Sequence, residues 1–289
     1  MYTHRSGAAH VALTCIAIGA AGLLAAACGA SAGKQAAKTA AAIKVPASAL
    51  GQPGTIRYCS DISSPPLEFY VNGQQPTGSD VELGNAIAAE LDVKPQWVNT
   101  AFSGIIPALQ AGHCDAILSQ LFDKPARRAV VNFVDYMNSS ETILVRKGNP
   151  DHITGIAGLC GLSVAAETGT TVTDFLAQQS KTCTAHGKKP IAVQTFLRDS
   201  DAVNQLALGH VAAYGTTIET GGYDMSRNTG MFQFAGPPFG QILTGIATTR
   251  QNSALHRAIA AAFAALQRNG TYVKIMTKWN LKPDALPAG

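Results

Sequence analysis

Charged residues make up only 14% of this sequence and aromatic residues only 7%, while no signature of nucleotide or hydrolase chemistry is present. There is no Walker loop, no GxSxG, no HExxH and no paired CxxC, so P-loop, serine-hydrolase, zincin and zinc-ribbon chemistries have no anchor. His4, His10, His113, His152, His186, His210 and His256 are dispersed without ligand spacing, which gives no support to a metal site. The cation excess is small, 22 Lys+Arg against 18 Asp+Glu, and scattered, unlike a nucleic-acid-binding face. No cofactor is implied. What is present suits a globular protein: 46% apolar residues in 289, enough for one large lobe or two smaller ones.

The N-terminus reads as a processing signal. Arg5 precedes the uncharged run "VALTCIAIGAAGLLAAA", which ends in small residues at Cys28. Such a run is also long enough for an uncleaved membrane anchor. "LAAAC" resembles the bacterial lipobox, with Ala25 where that pattern prefers Leu. The resemblance implies that residues 1–27 are removed and that Cys28 carries lipid. Residues 28–54, low in complexity, read as a tether.

Export permits disulfides. Cys160 and Cys183 bracket one strand–helix segment and are expected to pair. Cys59 closes one strand and Cys114 opens another. On parallel neighbouring strands their offset of several residues, at about 3.3 Å each, is too long for a bridge, which leaves that pair open.

From Thr55 onward strands and helices alternate, beginning with "TIRYCS", then "GSDVELGNAIAAELD" capped at Ser79 or Asp80 with Leu83, Ile87 and Leu91 on one face. The helix "SALHRAIAAAFAALQRNG" is expected to start at Ser253 and end at Gly270. This alternation predicts α/β architecture, with open, largely parallel sheets covered on both faces. Ligands of such sheets sit beyond the carboxyl ends of the strands. "SQLFDKPARRAVVNF" places Arg127 and Arg128 in the first turn of a short helix, where a cation is disfavoured unless an anion compensates it. "ETGTTVTD" offers hydroxyls and free amides at another helix start, although Thr171 and Asp174 also match an ordinary capping pair.

In order and with short gaps, "DISSPPLEF", "GSDVELGNAIAAEL", "FSGIIPALQAGHCDAILS", "PARRAVVNF", "ETGTT", "LALGHVAAY" and "NGTYVKIMTKWNL" resemble the family 3 bacterial solute-binding proteins, the polar amino-acid receptors of ABC importers. The likeness runs from Thr55 to Leu281. It implies a type II periplasmic-binding-protein-like fold, with two α/β lobes joined by two crossing strands around a ligand cleft. Lobe 1 is expected over 55–140 plus 244–289 and lobe 2 over 141–243, with crossings near Met137–Glu141 and Phe239–Leu243. The resemblance puts Arg127 on a ligand carboxylate and leaves Arg128 to solvent. Thr171 touches the same carboxylate from the other lobe, with Thr170 beside it in the binding site, and Phe102 forms an apolar wall. Asp61, Ser64, Ser119, Gln120 and Phe122 line the cleft. The family usually carries an aromatic residue at Ser64 and an ammonium-binding aspartate at Thr217. Glu219, two residues along and on the same face if the strand continues, is the expected substitute.

The implied protein is a monomeric, lipid-anchored receptor on the outer face of the cytoplasmic membrane, binding an amino acid or related small carboxylate and feeding an ABC permease. A dehydratase-like enzyme on the same fold, with Asp61, Glu68 and Glu219 as candidate acids or bases, and a ligand-sensing surface lipoprotein remain as alternatives.

Overall fold

The computed structural model describes residues 43–287, apart from Gln74. The expected signal and Cys28 lie outside that range. So do residues 29–42 of the expected tether, but the part within the range departs from expectation. Residues 43–54 lie on the core, with Ala49 and Leu50 buried and Ile43 and Val45 packed beside them.

Lobe 1 opens with β1 (Thr55–Ser60), the hairpin β2 (Phe69–Val71) and β3 (Gln75–Thr77), α1 (Ser79–Glu90), β4 (Lys94–Asn99), α2 (Ile105–Gln110), β5 (Ala116–Ile117) and α3 (Pro125–Arg128). The long strand β6 (Val131–Arg146) leads into lobe 2, made of β7 (Ser163–Glu167), α4 (Thr171–Ala185), β8 (Ala192–Phe196), α5 (Asp199–Leu208), β9 (Ala213–Thr217), α6 (Ile218–Arg227) and β10 (Phe232–Phe234). A second long strand, β11 (Phe239–Thr249), returns to lobe 1, which ends with α7 (Ser253–Arg268) and α8 (Thr271–Lys278). The strand order is β4-β1-β5-β11-β6-β9-β7-β8, with β10 added to β6. β1 is parallel to β4 and β5, and β7 is parallel to β8 and β9; the two crossing strands are antiparallel to each other and to their neighbours. Near the crossing, the β6–β11 ladder slips register between Phe239 and Ile242.

The apolar spacing read from α1 is the one that packs: Leu83, Ile87 and Leu91 are buried with Leu255, Ile259 and Leu266 of α7. Cap positions differ by one residue. Gly78 precedes α1 at φ 127°, and a Cβ there would fall 2.0 Å from the carbonyl oxygen of Leu67, so no side chain fits. Asn252, not Ser253, caps α7 by accepting from the Leu255 amide. Asn269 ends that helix, and Gly270, in the left-handed region, opens α8.

Both disulfides form. Cys160–Cys183 is as expected, and Cys59–Cys114 corrects the offset argument, with Cα atoms 5.6 Å apart in each. That argument placed Cys114 on an extended strand. β5 instead begins at Ala116, and Cys114 lies in the turn that leaves α2 through Gly112 at φ 76°. The turn folds Cys114 back over β1, into the small core of Ile105, Leu109 and Ile117.

Candidate functional site

The carboxyl ends of the strands surround a cavity with about 480 Å³ of empty space, a figure that includes the solvent at its mouth. Ser64, Phe102, Ser119, Gln120, Phe122 and Arg127 come to it from lobe 1, and Thr170, Thr171 and Thr217 from lobe 2. Asp61 and Glu219 stand behind the wall. Asp61 is buried and already engaged: it accepts from Ser63 Oγ at 2.7 Å, the Phe102 amide at 2.7 Å and Arg198 Nη1 at 2.8 Å. Glu219 overturns the strand-face argument. β9 stops at Thr217, which caps α6, so Glu219 lies in the first helical turn. There it accepts from Gln120 Nε2 at 3.0 Å and Ser139 Oγ at 2.8 Å.

Arg127 is only 9% exposed. α3 is a single turn, so the expected conflict with a helix dipole does not arise; Pro125 and the tight turn aim the side chain inward. Its Nη1 donates to the Phe122 carbonyl at 3.0 Å and its Nη2 to the Gly169 carbonyl of lobe 2 at 3.2 Å. The guanidinium lies over the Phe102 ring, 5.4 Å from its centroid. Neither hydrogen bond reaches a carboxylate, and burial lowers the arginine pKa to about 10. Facing it, Thr171 Oγ1 is buried without a partner. Nor do Thr171 and Asp174 form a capping pair. Thr170 occupies the N-cap position, and Asp174 pairs with Lys124 of lobe 1 at 2.6 Å. Arg128 points away and pairs with Asp123.

The lobes are closed on each other. Besides Arg127–Gly169 and Lys124–Asp174, Arg198 of lobe 2 bridges Asp61 and Asn99 of lobe 1, and the Asp199 amide donates to Ser63 Oγ.

Sequence reasoning missed most of the acids on the wall. Glu68, Glu141, Glu167 and Asp199 all line the cavity, and only Glu68 had been considered, for an enzyme. Ser119 Oγ donates to Glu68, while burial and the neighbouring Asp80 drive the Glu68 pKa well up. Burial and repulsion from Glu219 raise Glu141 to about 8, opposed by Arg127 and Lys124. Glu167 is pushed well up by burial, Asp199 and Asp61. Asp199, raised to about 7 by burial, accepts from Tyr214. The strand-end rule alone would have found Glu167, the last residue of β7. Glu141 lies within a long crossing strand and carries no such signal.

Two α/β lobes, two crossing strands and a cleft with a buried arginine form a recognisable plan. The profile of the bacterial extracellular solute-binding proteins, family 3, matches residues 56–282. The chain belongs to this family. Among curated relatives of this family 3 protein, the arginine-binding protein ArgT of Corynebacterium glutamicum is 28% identical over 239 residues, covering 82% of this chain and 78% of the relative. Among solved structures, an ancestral arginine-binding protein bound to glutamine is 30% identical with a TM-score of 0.72, covering 80% of this chain and 99% of that one. The ancestral amino-acid-binding protein AncCDT-1, described as a precursor of cyclohexadienyl dehydratase, is 29% identical with a TM-score of 0.71 over 78% of this chain and 95% of that one. The family 3 protein thus shares its fold mainly with binding proteins and also with a forerunner of an enzyme.

Proposed function

We propose that the protein is the extracytoplasmic receptor of an ABC importer, that it binds an amino acid by lobe closure, and that it does no chemistry on it. The observation that carries this reading is Arg127: a nearly buried guanidinium between the lobes, held by carbonyls alone, with the unpartnered Thr171 hydroxyl opposite. A planar guanidinium fork suits a carboxylate, and the two lobes would trap the ligand between them. Phe102 forms the apolar wall. Cys28 would hold the mature monomer to the outer face of the membrane, where a permease takes the ligand.

Calorimetry with the proteinogenic L-amino acids tests the receptor reading. Saturable binding with the ligand recovered unchanged is the expected result. Product formation would support the enzyme reading, which the acid-lined cleft and the likeness to AncCDT-1 keep in view. The anchor is tested separately. Cys28→Ala is expected to release the protein from membranes or leave it unprocessed, and intact-mass data showing an unmodified Cys28 would rule the anchor out.

A further inference from the structure

Glu141 and Glu167 line the same cavity, are 2% and 4% exposed, and accept no hydrogen bond from any donor among the described residues. Glu141 interacts with its surroundings only through charge, namely with Glu219, Arg127, Lys124 and Asp174. Oε1 of Glu167 is buried without a partner; its carboxyl otherwise meets only acids, hydrogen-bonding to that of Asp61 with Asp199 beside it. Among the described residues Arg198 is the one cation acting on Glu167, and it is already bonded to Asp61 and Asn99. Buried carboxyl oxygens are ordinarily hydrogen-bonded or paired, so Glu141 without a donor and Glu167 with one oxygen unsatisfied, both on one cavity, call for donors from outside the chain.

Their placement says which donors. Glu141 stands directly opposite Thr217 in the β6–β9 ladder. Arg127 is close enough to oppose the charge of Glu141. A guanidinium beside a carboxyl group that a bound ammonium would deprotonate matches the carboxylate and ammonium of one amino-acid backbone. β9 separates β6 from β7, so Glu167 stands two strand spacings away from Glu141, about 10 Å between backbones. That span suits the far end of an extended amino-acid side chain.

Building on the receptor reading, we propose that the ligand is a basic amino acid, with Glu141 accepting its α-ammonium and Glu167 accepting the guanidinium or ammonium that ends its side chain. The ligand's two cations and one carboxylate then satisfy Glu141, Glu167 and Arg127 together. Thr217, paired with Glu141 in the ladder, contributes at most a secondary hydrogen bond to the α-ammonium.

L-arginine and L-citrulline test this on the unmodified protein, since they differ in charge and little in shape. Calorimetry is expected to show arginine bound about tenfold or more tightly than citrulline, as befits a hydrogen bond to a charged group. Glu167→Gln should bring that ratio to within about threefold. Glu141→Gln should preserve the ratio and weaken both ligands alike, while leaving 5-guanidinopentanoic acid, which has no α-ammonium, nearly unaffected. Citrulline bound as tightly as arginine overturns the inference, as does an arginine preference that survives Glu167→Gln. Binding of glutamine or glutamate with none of arginine, lysine or ornithine also overturns it, but leaves the receptor reading standing. Failure of every amino acid to bind removes both.

Discussion

The two lobes bring opposite chemistry to the same cleft. Lobe 1 supplies the cation Arg127, the Phe102 ring and a polar row of Ser64, Ser119 and Gln120, with Glu68 already bonded to Ser119. Lobe 2 supplies hydroxyls from Thr170, Thr171, Thr216 and Thr217 and the acids Glu141, Glu167 and Asp199. Their scaffolds differ in parallel. The lobe 1 core gathers α1, α7 and α8 around large apolar side chains, whereas the lobe 2 clusters are smaller. The contrast suggests a division of labour, in which lobe 1 is the stable holder of the ligand's carboxylate and lobe 2 is the charged lid that reads the rest.

The largest test of that asymmetry is covalent. Each lobe has one disulfide: Cys59–Cys114 ties the turn after α2 to β1, and Cys160–Cys183 ties the segment before β7 to α4. Cys59–Cys114 spans 55 residues and Cys160–Cys183 spans 23. Chain entropy predicts stabilisation of about 4 kcal/mol for the first and about 3 kcal/mol for the second. Urea denaturation of the two double-alanine variants should show the greater loss in lobe 1, where both sulfurs are also buried in a core. Equal or reversed losses would mean that lobe 1 is not the firmer holder.

Next in size is the carboxylate clamp. Removing one side of a buried, hydrogen-bonded charge pair typically costs ~2–5 kcal/mol. Arg127→Ala is therefore expected to weaken binding by at least about thirtyfold. Arg127→Lys should recover only part of that loss, because an ammonium cannot present the fork. Calorimetry with a ligand found by screening reads both, and undiminished binding in Arg127→Ala would remove the clamp.

A smaller effect should separate the lobes by pH. The carboxyl of Glu141 titrates near its ordinary 4.5 when unfolded and at about 8 when buried. Between those values the folded state keeps a proton that the unfolded chain gives up, so this group makes unliganded stability fall as pH rises from about 4.5 to 8, and flattens above. Glu141→Gln cannot ionise and should lose less stability across that window, although it binds ligand less well. Thermal denaturation from pH 5 to 9 gives the comparison; identical slopes would mean that Glu141 is not a strained, ligand-awaiting acid.

How much of this was legible in the sequence follows from how local each feature is. Alternating strands and helices, the α1 spacing and the inward role of Arg127 over Arg128 are carried by short patterns, and they appear where expected. Helix α6 was invisible: "IETGGYDMSR" contains a glycine pair, and the face it buries is Glu219, Thr220, Gly221 and Asp224, with no large apolar side chain. Gly221 is needed there because a Cβ would fall 2.8 Å from the Phe234 ring. Missing that helix misplaced Glu219. The Cys59–Cys114 bridge was misjudged because a tight turn, not a strand, delivers Cys114. Glu141 reaches the cleft through the pairing of β6 with β9, which brings together residues 76 positions apart (217 − 141), and nothing in its own neighbourhood announces that.

The smallest expected effect belongs to Arg128, the neighbour that should be silent in binding. Its side chain is 59% exposed and outside the cleft, and it pairs with Asp123, whose side chain is only 2% exposed. Asp123 in turn faces Asp135, whose pKa is raised to about 6 by burial and by that neighbouring acid and is held down by Arg128. Arg128→Ala should thus change ligand affinity by less than about threefold, as for a solvated charge. Its consequence should fall on pH dependence. Without the guanidinium, Asp135 titrates higher still, so the range over which rising pH costs stability extends above 6. Affinity and melting temperature measured across pH 4 to 8 distinguish the two arginines. A loss of binding in Arg128→Ala comparable to that in Arg127→Ala would mean that the cleft does not discriminate between them, and that the one-turn helix does not aim a single guanidinium inward.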